Sequence, residues 1–460
     1  MKETPDELGG TELPREESGR RRFSTHVAWT LLARTAMTVN SVAAGVIVAR
    51  WLGAEGLGGL AVLNVMVATA AQISSAGLPS ANTYFISRDR TRLAAVALNS
   101  LVFALSAGGV IAALLTALAW WQPSLFHSIS PRLVMIAAVS IPFQLIMLLG
   151  LNIFLAVGRV DRFNLLDLAS QAFVLVNAIF ALLVFGRGLW ALVSLNTAAS
   201  ILVGVLIVWL IGRQIFRLER GRSPPVSRPS LTLFREMLRY GLKFHVSLLA
   251  AMLIFRADLL VVNHFRGAAE AGVYSVASQV AMMLMLLPGV IATLLFPRIS
   301  AEADATGRLT CLVSRHTAFV MLIVCLLAVP ASLLLPLLYG APFADVNVQL
   351  LILLPGVYLV GLESVLVQHF NATGLPAMIP LFWVATLICN IALVLALVPV
   401  YGARGAAVAS TVTYAMIFAL VALYFRARTR RTIKEMLMLS GTEVRELFRA
   451  VSARALLKRV

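Results

Sequence analysis

Apolar residues run along the chain in long blocks broken by short polar connections. Twelve blocks stand out, over residues 26–49, 58–79, 93–121, 133–157, 163–185, 189–211, 244–265, 271–296, 310–338, 346–371, 377–399 and 405–425. A helix crosses the hydrocarbon core with about 20 apolar residues. The pattern therefore predicts an all-α polytopic membrane protein of about twelve transmembrane helices. The longest hydrophilic interruption, at 212–243, holds Ser223-Pro224-Pro225 and eight basic residues and divides the spans six and six. The expected organisation is a disordered tail over 1–23, an N-lobe over 24–212 and a basic linker over 213–243. A C-lobe over 244–426 and a basic tail over 427–460 complete it. In that tail Val444, Leu447, Phe448 and Val451 recur at helical spacing between Arg445, Arg449 and Arg454, the mark of an amphipathic helix on a membrane surface.

The two halves repeat each other. Phe154-x-Ala156-x-Gly158 matches Phe370-x-Ala372-x-Gly374 at an offset of 216 residues, and the 28 residues from Gly158 to Gly186 match the 28 from Gly374 to Gly402. Gly53-Ala54-(x4)-Gly58 matches Gly267-Ala268-(x4)-Gly272 at an offset of 214. Six spans is an even number, so both halves enter the membrane from the same side and form a parallel repeat about the membrane normal. Two such lobes enclose a central cavity, which is transporter architecture.

Charge orients this arrangement. Assigning the segment ends alternately to two sides puts 31 of the 38 Lys and Arg on one side and 5 on the other; Arg34 and Arg256 lie inside segments. This positive-inside asymmetry predicts two cytoplasmic termini and an even number of spans. The net charge of +17 is thus a topology signal that also attracts anionic lipid headgroups, and no nucleic-acid partner is expected. Composition agrees: of 460 residues 60% are hydrophobic and 13% charged, and mean hydropathy is +0.89, against about 25% charged in soluble domains. Cys311, Cys325 and Cys389 fall at apolar positions and read as small buried hydrophobes.

The connections on the Arg-poor side, at 50–57, 122–132, 186–188, 266–270, 339–345 and 400–404, are too short to fold as a domain, which opposes a membrane glycosyltransferase. The six His are scattered, with no pair at i, i+4. Phosphate-binding loops, nucleophile elbows and metal-ligand spacings are absent from the sequence. No enzyme activity, cofactor or metal is expected.

Four segments resemble a known family. They are Arg50-Trp-Leu-Gly53-Ala-Glu55-Gly-Leu-Gly58, Ala271-Gly272-Val-Tyr274-Ser-Val-Ala277, Leu295-Phe-Pro297-Arg298-Ile-Ser300 and Leu397-Val-Pro399-Val-Tyr401-Gly402-Ala-Arg404-Gly405-Ala406-Ala407. In that order they are similar to motifs of the polysaccharide transporters, the O-antigen-type lipid-linked oligosaccharide flippases of the multidrug/oligosaccharidyl-lipid/polysaccharide exporter superfamily. Ala54 and Leu57 stand where that family has Pro and Tyr, and many of its members have fourteen spans. The resemblance implies a flippase of the bacterial cytoplasmic (inner) membrane for a polyprenyl (pyro)phosphate-linked saccharide, serving cell-surface polysaccharide or lipopolysaccharide assembly. Arg34 stands in the first span, where the multidrug branch carries an acid, which favours an anionic cargo. The alternatives are an ion-coupled multidrug-type antiporter and a non-transporting partner of envelope-polysaccharide assembly proteins.

Charges inside the hydrocarbon are costly, so they are the first functional candidates. Arg34 heads a polar stripe with Thr38, Asn40 and Ser41, and a guanidinium suits a phosphate bidentately. Arg256 is the second candidate for the cargo headgroup. Asn64, Gln72 and Gln279, with Asn82 and Tyr84, are candidates for the sugar. Asp258 and Glu363 are candidates for coupling to H+ or Na+; Glu363 has no opposite charge at i±3 or i±4. Arg256 and Asp258 are two residues apart on a helix and so point to opposite faces.

Overall fold

The computed structural model describes residues 13–126, 129–186, 188–219, 229–302, 304, 306–374 and 376–439. The amphipathic segment expected beyond 443 and residues 1–12 of the expected N-terminal tail lie outside them.

Within the described residues the chain is helical throughout, in the order α1 (Leu13–Ser74), α2 (Leu78–Arg88), α3 (Leu93–Trp121), α4 (Pro131–Ala138), α5 (Ile141–Ala156), α6 (Val160–Ala178) and α7 (Leu189–Glu219). A π-helical turn, Ile179–Val184, extends α6. The second half runs α8 (Leu231–Arg256), α9 (Asp258–Arg266), α10 (Ala268–Leu284), α11 (Leu286–Glu302), α12 (Arg308–Ser332), α13 (Leu335–Tyr339), α14 (Val346–Ala372), α15 (Met378–Thr429) and α16 (Ile433–Leu437). Ten helical stretches among the described residues are long and apolar enough to cross a membrane. The protein is a multi-pass all-α membrane protein.

The difference from the twelve expected blocks has a physical cause. Residues 26–49 and 58–79 fall largely in one continuous helix that bends at Gly53, where φ is +68°. Residues 377–399 and 405–425 lie in another that bends at Gly402, where φ is +59°. Only glycine takes such angles without a steric cost.

The repeat is written in these bends. Gly53 and Gly267, Gly158 and Gly374, and Gly186 and Gly402 all have positive φ, each pair at the offset found in the sequence. Gly402 has a second reason to be glycine: a Cβ there would collide with the Glu270 carboxylate, which accepts the Ala403 N–H at 2.6 Å and caps the second arm of α15.

Two boundaries shift. Helix α1 begins at Leu13, inside the stretch expected to be a tail, and the basic linker shrinks because α7 runs on to Glu219 and α8 starts at Leu231. The first half of α8 packs on the N-lobe through a row at helical spacing, Leu233, Met237 and Tyr240, against the core around Leu78, Leu93 and Val96.

Candidate functional site: the face between the lobes

The two lobes meet where α1, past its bend, crosses α10. A Cβ on Gly58 would fall on the Ala268 carbonyl oxygen, and one on Gly272 on that of Ala54. The four residues are the matched pairs of the repeat, so the contact has a near-twofold axis through it. Backbones this close leave no room for any side chain, as in small-residue crossings of membrane helices.

One polar face runs away from this seam. On the first arm of α1, Arg34, Thr38, Ser41 and Gly45 lie within about 60° of one another around the helix. Ser41 accepts a hydrogen bond from Gln279 Nε2 of α10 at 2.6 Å. Gly45 faces Tyr339 and Gln279. Ser41 and Gly45 are half-buried by these C-lobe groups, whereas Arg34 is exposed. The face that touches the C-lobe at Ser41 is therefore uncovered at Arg34, about 10 Å further along the axis. Thr38 donates to the Arg34 carbonyl at 2.9 Å, the usual intrahelical bond of a membrane threonine. On the second arm Gln72 shares the face of Gly58 and lies 3.5 Å from the Ser75 hydroxyl.

The remaining candidates lie elsewhere. Asn40 is about a third of a turn from Arg34 and donates to the Gln171 carbonyl of α6, inside the N-lobe. Asn64 is exposed, a third of a turn from the Gly58 face. Asn82 is fully buried and pairs with Ser100 at 3.0 Å. Tyr84 stacks on Tyr240 at 4.3 Å between centroids and accepts from Arg88 at 2.7 Å.

The adjacent pair on α8 and α9 separates as the helical geometry requires. Arg256 is exposed, while Asp258 is 2% exposed and turned into the C-lobe. There the Asp258 carboxylate accepts from the Tyr274 hydroxyl of α10, the Ser410 hydroxyl of α15 at 2.9 Å and its neighbour's Leu259 N–H at 2.8 Å. Glu363, in the middle of α14, is also 2% exposed, but its Oε1 has no hydrogen-bond partner. An unpartnered buried carboxylate costs several kcal/mol in a low dielectric unless protonated. Among the described residues no group of three or more His, Cys, Asp or Glu is placed to hold a metal ion.

Sequence reasoning missed Tyr339, whose buried hydroxyl lacks a partner beside Gly45. It also passed over Arg50 and Arg266. Arg50, at the seam, donates through Nε to the Leu338 carbonyl at 2.8 Å and through Nη2 to that of Leu337. Arg266 donates to the carbonyls of Val398, Pro399 and Val400 at 3.3, 2.9 and 2.8 Å. Each stands just ahead of a repeated Gly-Ala pair, which was the available signal.

Residues 47–347 match the family described as polysaccharide biosynthesis protein. The chain belongs to that family. The polysaccharide biosynthesis family match begins three residues before Arg50 and spans the seam, α8 and α10. A probable flippase, AglR of Haloferax volcanii, is 27% identical over 242 residues, which cover 50% of this chain and 48% of that protein. The chain thus spans about half the length of the curated relative it matches. Among solved structures, an inward-facing multidrug resistance MATE family transporter of the MOP superfamily superposes with a TM-score of 0.68 at 17% identity, covering 86% of this chain and 94% of that one. The lipid II flippase MurJ in an inward closed conformation gives 0.67 at 15% identity, covering 88% of each. An outward-facing MATE family transporter gives 0.60 at 15% identity, covering 88% and 94%. The fold is the two-lobe fold of these transporters.

Proposed function

We propose that the chain is a flippase that moves a polyprenyl (pyro)phosphate-linked oligosaccharide from the inner to the outer leaflet of a bacterial cytoplasmic membrane by alternating access. The observation that carries this reading is the polar face of α1. It is sealed against the C-lobe at Ser41 and uncovered at Arg34, so a single guanidinium waits at membrane depth on the side where the lobes part. Arg34 and Arg256 hold the anionic headgroup, with Thr38, Gln72 and Gln279 on the saccharide side. The lipid tail stays in the bilayer. Asn40 and Asn64 stand off this face and take a lesser part.

The same reading sets the topology. Each bent helix counts as two spans, which makes twelve, six in each lobe over 24–212 and 244–426. The basic end of the bundle is cytoplasmic, so both termini are cytoplasmic, and the end holding the seam faces outward. Of the two acids, Glu363 is the better coupling group, because Asp258 is held by three donors and an incoming ion displaces them. H+ suits a carboxylate with no partner; Na+ needs more oxygen ligands. Substrate, membrane lipid and envelope-polysaccharide assembly proteins are the partners, and the chain itself makes and breaks no bonds.

Mass spectrometry of polyprenyl-linked saccharides in a deletion strain tests this. The expected result is accumulation of a lipid-linked repeat shielded from external probes, cleared by the wild type and not by the double substitution Arg34→Ala, Arg256→Ala. An unchanged lipid pool and surface glycan would sink the oligosaccharide reading. The fold likeness to multidrug MATE transporters then favours the second reading, an ion-coupled small-molecule antiporter, for which a drug-resistance phenotype is the readout.

A further inference from the structure

The seam is sparsely bonded for a contact that closes one end of a transporter. Its centre is glycine against carbonyl. Around it stand the Gln279–Ser41 bond, a bond from Asn263 Nδ2 of α9 to the Phe126 carbonyl at 3.3 Å, and the two donated by Arg50. Only the last pair involves a charged group, and hydrogen bonds to charged groups contribute more than neutral ones.

The arginine ahead of the second Gly-Ala pair is used differently. Arg266 stands one residue ahead of Gly267, where Arg50 stands three ahead of Gly53, and its hydrogen bonds go to Val398, Pro399 and Val400 at the bend of α15, within its own lobe. Arg266 staples the C-lobe to itself and rides with it. Arg50 crosses from the N-lobe to the Leu337 and Leu338 carbonyls in the last turn of α13, which ends at Gly340 with φ +110°. The last carbonyls of a helix have no intrahelical donor, so they are free to take the guanidinium. Parting the lobes at this end breaks the bonds of Arg50 and leaves those of Arg266 intact.

We propose that Arg50 is the latch of the seam: a positioning residue that sets the balance between the state closed at the Arg-poor end and the state open there. The proposal rests on the alternating-access reading for its purpose, but not on the identity of the cargo. A guanidinium latch reseals without a partner protein or an ion, and its strength is set by two backbone carbonyls whose positions follow the fold of α13.

The test uses the full-length protein in sealed vesicles, with a Thr38→Cys reporter on the polar face below the seam and the three native cysteines replaced. A membrane-impermeant maleimide is applied to each side in turn. With Arg50 present, labelling from the seam side is slow. Arg50→Ala raises that rate about tenfold, a modest share of the two charged hydrogen bonds. Arg50→Lys, a point cation that cannot span both carbonyls at once, raises it less. Arg266→Ala lowers thermal stability and leaves the labelling rate unchanged. If Arg50→Ala folds and labels at the wild-type rate, or if Arg266→Ala accelerates labelling as much, Arg50 is no latch. Should Arg50→Ala fail to fold, Arg50→Lys decides by the same comparison. The readout needs no cargo, so a wrong saccharide reading leaves this result standing, and an inert Arg50 leaves the lipid mass spectrometry untouched.

Discussion

The N-lobe is met through glycine at both ends of the bundle, by α10 of the C-lobe at one and by the first half of α8 at the other, and the two contacts are built differently. At the Arg-poor end Gly58 and Gly272 meet backbone carbonyls across a near-twofold axis, helped by two neutral hydrogen bonds and Arg50. At the basic end Gly77 of the α1–α2 turn meets the Gly241 backbone on α8, and no repeat partner mirrors it. This second contact is heavily reinforced. Tyr84 stacks on Tyr240, Phe103 meets Phe234 at 5.5 Å, and Asn99 and Ser230 exchange two hydrogen bonds of 3.0 and 3.1 Å. A sparsely bonded symmetric contact suits a seam that opens. A contact bonded through aromatics and a reciprocal amide pair suits one that keeps its place while the lobes move.

The largest effect should follow from Gly77→Ala. Gly77 has φ +74°, which costs an ordinary residue about 1–2 kcal/mol, and its Cβ would strike the Gly241 carbonyl. The expected loss is about 3 kcal/mol once overpacking of about 1–3 kcal/mol is included, read as reduced unfolding free energy in detergent. Gly58→Ala meets an even closer backbone but at a helical φ, where Ala gains up to about 1 kcal/mol of helix propensity. It should destabilise less and accelerate labelling of the polar face instead. Should Gly58→Ala prove the more destabilising and leave labelling unchanged, the roles of the two contacts are reversed.

How much of this was legible differs between the contacts for the same reason. The repeat placed Gly53, Gly58, Gly267 and Gly272 at equal spacing, and each position carries a backbone demand that only glycine meets, so the pattern pointed to the seam. The basic-end contact has no repeat partner. Its α8 half was hidden because Arg235, Arg239 and Lys243 make 231–243 read as a basic linker, although Leu233, Met237 and Tyr240 already showed an i, i+4, i+7 apolar row. The enclosure of Asp258 was beyond reach for another reason. Tyr274 and Ser410 lie 16 and 152 residues away, and nothing in the chain announces that they converge. Arg34 was legible, since a charge in a first span is conspicuous; its level relative to the seam needed the fold.

The hydrogen bonds sharpen the comparison at the next level down. Asn99→Ala leaves the Ser230 N–H without its acceptor where α8 begins and the Ser230 carbonyl with the Phe234 N–H alone, an expected cost of about 1–3 kcal/mol. Gln279→Ala leaves one half-buried hydroxyl, Ser41, which can turn to its own helix carbonyls, and about 1 kcal/mol is expected. Unfolding measurements on both variants should keep that order. Gln279→Ala should also add to Arg50→Ala in the labelling assay, as sites that share one seam, whereas Asn99→Ala should not change labelling at all.

The smallest expected effect is electrostatic and sits beside the basic-end contact. Asp89, in the turn between α2 and α3, accepts from the Thr91 hydroxyl at 2.6 Å, the Thr91 N–H at 3.0 Å and Arg92 at 3.2 Å. The Thr91 hydroxyl, first among these donors, holds the carboxyl below its ordinary range. A depressed folded-state pKa means stabilisation that is complete above the unfolded-state value, about 4, and is lost as pH falls through the folded-state value. The turn is solvent-exposed, so the difference should be small and local, seen as faster amide exchange at 89–93 in the wild type on acidification from pH 6 to pH 3. Asp89→Asn keeps the shape but has no proton to gain, so exchange in that turn should lose its pH dependence beyond the intrinsic chemistry, with the seam-side amides unaffected in both proteins. If the amides around Gly58 respond to Asp89 as strongly as those around Gly77, the two ends are coupled more tightly than their separate construction implies, and the basic-end contact moves with the seam rather than standing apart from it.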